Sequence, residues 1–81
     1  MKQTPLHIAC TDLSSIAPGR RVRIAGVQAG NNLQGRLLAM GFVKEAEVNI
    51  ILNHGQGPLL VGLGDSRITL GRGMAKKILV R

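Results

Sequence analysis

Eighty-one residues allow one small domain, which buries only about 60% of the surface its unfolded chain exposes, with no room for a second domain or a deep substrate cleft. Hydrophobic residues make up 44% of the chain but aromatics only 1%, Phe42 alone, and 11 Lys and Arg against 4 Asp and Glu give a formal charge of +7. One cysteine, Cys10, excludes a disulfide framework and a four-cysteine zinc site, and no apolar run approaches the roughly 20 residues of a membrane span.

Residues 1–11 carry no apolar stretch of a secretory signal, so the expected location is cytoplasmic and this segment reads as an N-terminal arm to a domain at 12–81. Residues 12–16 fit a short helical turn with Leu13 and Ile16 on one side, and Ala17-Pro18-Gly19 a tight turn. In residues 20–27, Val22 and Ile24 alternate with Arg21 and Arg23, a strand with one buried face, and Gly26 suits a bulge. Asn31, with Gln34 three residues on, fits a helix cap; Leu33, Leu37 and Met40 then recur on one helical face, and Gly41 follows as a helix-ending residue.

Ala46, Val48, Ile50 and Leu52 alternate with Glu47, Asn49 and Ile51, the clearest strand pattern in the chain. Residues 53–57 form a Gly-rich hairpin loop, 58–63 an apolar strand, and Gly64-Asp65-Ser66 a tight turn. Ile68 and Leu70 mark a short strand, 71–75 one helical turn, and Ile78 with Val80 the last strand. The expectation is a mainly β fold, a small five-stranded barrel with a short helix between its first two strands. Short connections after residue 46 favour antiparallel neighbours, and barrel closure hides edges that five strands cannot sandwich.

A charge of +7 attracts polyanions, yet the basic residues form no single block and single-stranded nucleic acid needs aromatic stacking platforms that one Phe cannot supply. No phosphate-cradling motif is present, and no carboxylate pair or nucleophile–base set, so no enzyme activity is expected. His7-x-x-Cys10, with Asp12 and His54, has donor types that zinc accepts, so His7, Cys10 and His54 are the candidate ligands of a transition metal that the fold does not require.

Read as a string, residues 13–80 resemble the FeoA family of small bacterial ferrous iron uptake proteins. The matching pieces are Pro18-Gly19, Val22-x-Ile24-x-Gly26-Val27, the helix signature Leu33-x-x-Arg36-Leu37-Leu38-x-Met40-Gly41-Phe42, Val48-x-Ile50, Gly57-Pro58-Leu59-x-Val61, Ile68-x-Leu70, and Met74-Ala75-x-x-Ile78-x-Val80. Lys44-Glu45-Ala46 stands where the family usually has Pro-Gly, so that turn needs another backbone conformation or carries a modest cost. The resemblance implies an SH3-like barrel and a non-enzymatic accessory role toward FeoB, the membrane iron transporter with a cytosolic G-protein part, the chain being peripheral to the membrane at most.

The expected mode is docking in a groove between the inserted helix and the 53–57 loop. Its apolar contacts would be Leu38, Leu59 and Leu60 and its charged contacts Arg20, Arg21 and Arg23. Without aromatics the groove would not hold Pro-rich ligands. The apolar 58–63 strand offers a route to a homodimer. The alternative reading is a KOW-like SH3-fold module that binds RNA, suggested by Gly19-x-x-Val22-x-Ile24-x-Gly26 with Gly30 and Gly35. It expects a strand after the glycines, where residues 32–40 read as helix.

Overall fold

A computed structural model describes residues 11–81. Strand β1 (Thr11–Asp12) runs into a 3₁₀ turn (Leu13–Ser15), then β2 (Arg21–Val27) and helix α1 (Asn31–Ala39). Three strands follow, β3 (Glu47–Leu52), β4 (Leu59–Leu63) and β5 (Ser66–Leu70), then the one-turn helix α2 (Arg72–Ala75) and β6 (Ile78–Val80). All neighbours are antiparallel, in the order β1-β6-β2-β3-β4-β5. The five expected strands are present with the helix between the first two. The sixth, β1, lies at the end of the expected arm, where Thr11 opposes Val80 and Asp12 opposes Leu79. A two-residue strand is too short to leave a period-two pattern in the sequence.

Strand β2 organises the sheet. Its first half pairs with β3, Val22 opposite Val48, and its second half pairs with β6 past a register shift between Ile24 and Gly26. The residue left unpaired is Ala25, one before the Gly26 at which a bulge was expected; Gly26 itself opposes Leu79, and the extra residue bends the strand between its two partners. Alternation then sends Val22 and Ile24, Val48 and Ile50, Leu59 and Val61, and Ile78 and Val80 into one core. Leu13, Leu37 and Phe42 close it, each fully buried.

Helix α1 differs from expectation at both ends. Its N-cap is Gly30, with no side chain capping it, and Asn31 is the first helical residue. The Gly30 carbonyl accepts from the Gln34 amide at 2.8 Å, so the anticipated Asn31 cap is shifted by one residue. Met40, expected on the buried stripe with Leu33 and Leu37, is the C-cap and 40% exposed, the last residue before the chain turns away at Gly41. Gly41, with φ +106°, ends the helix as anticipated. Its amide donates to the Leu38 carbonyl and that of Phe42 to the Leu37 carbonyl, both at 3.0 Å. These two bonds are the Schellman arrangement, which satisfies the last carbonyls and drives Phe42 into the core beside Leu37.

The turn after the helix takes the costly option. Glu45 has φ +73° and is the sole non-glycine with positive φ among the described residues. The Glu45 amide donates to the Ile24 carbonyl at 2.8 Å, and the Ala46 amide to Val43 at 3.0 Å, so the ladder over-determines this backbone.

Candidate functional site

Of the three expected arginines, Arg20 immediately precedes β2 and Arg21 and Arg23 lie in its first half. Arg21 and Arg23 point outward, two residues apart, while Val22 between them faces the core. The Arg21 Nε donates to Asn49 Oδ1 at 3.1 Å and lies 3.2 Å from Glu47 Oε2. One Arg23 guanidinium nitrogen donates to the Glu45 carbonyl at 3.1 Å, and the Glu45 carboxylate pairs with Arg81. Two of the four carboxylates in the chain thus sit inside the basic cluster and offset part of its field. Both ion pairs are exposed, so they orient side chains more than they stabilise the fold.

The leucines divide. Leu38 is 43% exposed on α1 and Leu60 is half-buried on the outer face of β4. Leu59 is only 1% exposed and packs in the core; it and Leu60 alternate across the sheet, so only one of them can reach a surface partner. Met40 and Val43, not singled out by sequence, join Leu38 as exposed apolar side chains around the end of α1. Beside them lies a depression of about 500 Å³, lined by Met40, Gly41, Ala46, Glu47, Asn49, Leu63 and Gly64. A second, of about 300 Å³, is lined by Leu52, His54, Gln56, Pro58, Leu59, Leu60 and Thr69.

Neither of these depressions is lined by both α1 and the 53–57 loop, between which the groove was expected. The end of α1 packs near Leu63, at one end of the β3–β4 hairpin, and the loop is at the other end. The loop is held instead by Asn53 and Arg72. Asn53 Nδ2 donates to the carbonyls of Ser14 at 3.0 Å and Ile16 at 2.8 Å. Arg72 donates through Nε to the Gly57 carbonyl at 2.9 Å, and through its terminal nitrogens to Asn53 Oδ1 at 2.6 Å and the Ser14 carbonyl at 3.2 Å. One planar guanidinium fork therefore ties three segments that no local sequence pattern connects.

Of the candidate metal ligands, His7 and Cys10 lie outside the described residues, and His54 is exposed at the hairpin tip. Among the described residues no group of three His, Cys, Asp or Glu side chains converges, so they do not by themselves fit a zinc site. No helix among them is long and apolar enough to cross a membrane.

The chain and its fold resemble known proteins. The FeoA domain family model matches residues 11–81. Fe(2+) transport protein A of Methanocaldococcus jannaschii, an assignment by name, is 34% identical over 62 residues, 76% of this chain and 74% of that protein. An iron uptake regulatory protein, FeoA, superposes with TM-score 0.83 at 28% identity over 89% of this chain and 96% of that one. The zinc-complexed FeoA of Stenotrophomonas maltophilia, described as an SH3 domain protein, superposes with TM-score 0.79 at 32% identity, over 88% of this chain and 89% of that one. The fold is SH3-like, and the chain belongs to the FeoA family.

Proposed function

We propose that this chain is a non-enzymatic accessory protein of ferrous iron uptake that docks on the cytosolic G-protein part of a FeoB-type transporter. The observation that carries the reading is the FeoA family match across every described residue. The surface supports it physically. Leu38, Met40 and Val43 expose apolar area at one helix end, Arg21 contacts Glu47 and Asn49 of the depression beside it, Arg23 reaches Glu45, and Arg20 precedes them, just before β2. Such a patch with a charged rim is the composition of a protein contact. Arg20, Arg21, Arg23, Leu38 and Leu60 are the proposed contacts, with Leu59 supporting Leu60 from the core.

A bound transition metal enters only through His7, Cys10 and His54, and the accessory role does not depend on it. Pull-down of the transporter's cytosolic part by the full chain tests the reading, with the nucleotide site empty, GDP-loaded and loaded with a GTP analogue. Binding in at least one state is expected. No binding in any of the three would overturn it.

A further inference from the structure

The strand expected to pair with a second copy, 58–63, is not available for that: β4 is bonded to β3 on one side and β5 on the other. Of the sheet's two edge strands, β1 has two residues and β5 five, and β5 is the one that follows β4. Its connection to β4 is a two-residue turn, Gly64-Asp65, with Gly64 at φ +61° as a tight hairpin turn requires. Leu63 and Ser66 close that turn as partners. Ladder bonds alternate along an antiparallel pair, so Leu63–Ser66, Val61–Ile68 and Leu59–Leu70 are the bonded pairs. The N–H and C=O groups of Arg67 and Thr69 therefore point away from β4. No other described backbone group bonds to them.

Arg67 and Thr69 are exposed, and Thr69 forms one wall of the 300 Å³ depression. Register places Leu52, Leu60 and Thr69 in one row across the outer face, and Asn49, Gly62 and Arg67 in the next. A strand added to β5 would extend both rows. The residue opposite Thr69 would then pack on Thr69, the near wall of the depression, with an apolar side chain reaching over it toward Leu60, and the residue two positions away would face Arg67.

We propose that the β5 edge and this depression form a β-augmentation site for an extended partner segment carrying an apolar and an acidic residue two positions apart. Charge selects this occupant. The Arg67 guanidinium has no partner among the described residues, and a second copy would bring another +7 chain. An inherently charged edge also resists indiscriminate pairing and admits a complementary strand. The inference adds a contact to the docking reading above and rests on that reading only for the natural partner.

Two measurements test it. Amide exchange in the free full chain should be fast at Arg67 and Thr69; protection of both amides would show the edge already covered and overturn the proposal. The capped peptide Thr-Glu-Val-Leu-Val-Glu-Thr should then shift those two amides in NMR titration, and its version with Lys for both Glu should bind at least tenfold more weakly. Equal binding of the two peptides, or no shift at either amide, would also overturn it.

The natural partner is tested with the transporter's cytosolic part. Thr69→Pro removes an outward N–H without touching the β4 ladder, and Arg67→Glu reverses the edge charge. Each should weaken capture at least tenfold, while Lys76→Glu, the same charge reversal elsewhere, should change it less than twofold. Undiminished capture by both edge variants would overturn the edge as the contact and leave docking standing. No capture by the unaltered chain would overturn docking, with the peptide titration still deciding the edge.

Discussion

Glu45 holds a left-handed backbone that an L side chain resists, and this supplies a quantitative test of the fold's one strained turn. Its φ of +73° places its Cβ against the following carbonyl, at about 1–2 kcal/mol for a non-glycine residue. Glycine there relieves that clash but loses more backbone freedom on folding, about 0.5–1 kcal/mol. The net gain of Glu45→Gly is thus on the order of 0.5–1 kcal/mol, before the ion pair to Arg81 is counted. That pair is exposed on both sides, with 43% and 51% of the two side chains accessible, so its loss costs about 0–1 kcal/mol. In the native background the two effects nearly cancel.

Removing Arg81's charge first separates them. In an Arg81→Gln background, Glu45→Gly should raise stability by the backbone term alone. For a domain of this size 1 kcal/mol moves Tm by about 4–8 °C, so a rise of roughly 2–8 °C is expected. The chain has no Trp or Tyr, so unfolding is followed by far-ultraviolet circular dichroism, with urea melts confirming an unchanged m-value. A lower Tm for Glu45→Gly in that background would refute the reasoning, since it would mean that the carboxylate, not the backbone, sets the energetics of this turn.

Other consequences are as direct. Gly41→Ala places a Cβ 3.0 Å from the Leu63 side chain at φ +106°, and should cost about 1–3 kcal/mol in a urea melt. Arg72→Lys leaves one donor group to serve Gly57, Asn53 and Ser14, so amide exchange in the 53–57 loop should accelerate while β2 and β3 stay protected. Phe42→Ala removes the largest fully buried side chain at about 3–5 kcal/mol, comparable to the whole stability of a small domain, and should abolish the cooperative melt. If the chain carries zinc through its N-terminal donors, replacing both His7 and Cys10 by Ala should empty it in atomic absorption; unchanged stoichiometry would end that idea.

What the sequence disclosed was governed by range. Val48 and Ile50, or Val22 and Ile24, announce their strands because the signal is period two within a few residues, and Gly41 announces a helix end through the positive φ it adopts, while Gly26 marks the bulge only as the neighbour of the unpaired Ala25. The strained turn was legible as a substitution of Lys44-Glu45 for a pair with the right φ preferences, though only the structure told which of the two options it took. The Asn31 cap missed by one residue because Gly30 can fill the same backbone role without a side chain. Contacts across the fold left no local trace. Arg72 and Ser14 are 58 positions apart, and nothing in either neighbourhood predicts the fork that joins them. For the same reason Leu59 and Leu60 were indistinguishable in sequence, since which of two adjacent apolar residues faces the core depends on register with β3 and β5.

The charge of +7 is sharpened by where its members stand. Arg21 and Arg81 are matched by Glu47 and Glu45, while Arg23 and Arg72 donate to carbonyls within the fold. Arg20, Arg36, Lys44, Arg67, Lys76 and Lys77 make no ion pair among the described residues, and they fall on the strand starts, the helix, the sheet edge and the turn before β6. A nucleic-acid backbone is tracked by cations aligned along one stripe or groove, and these are not so aligned by element. Distributed positive charge sets the sign of a partner and speeds its encounter, without fixing a register. Position is fixed by apolar surface, and among the described residues the large exposed apolar side chains are Leu38, Met40 and Val43 around the end of α1 and Leu52 at the depression beside β5. On the proposed docking reading the cations therefore favour any acidic surface, whereas Leu38, Met40, Val43 and the Leu52–Leu60–Thr69 row would decide where on this barrel such a surface settles.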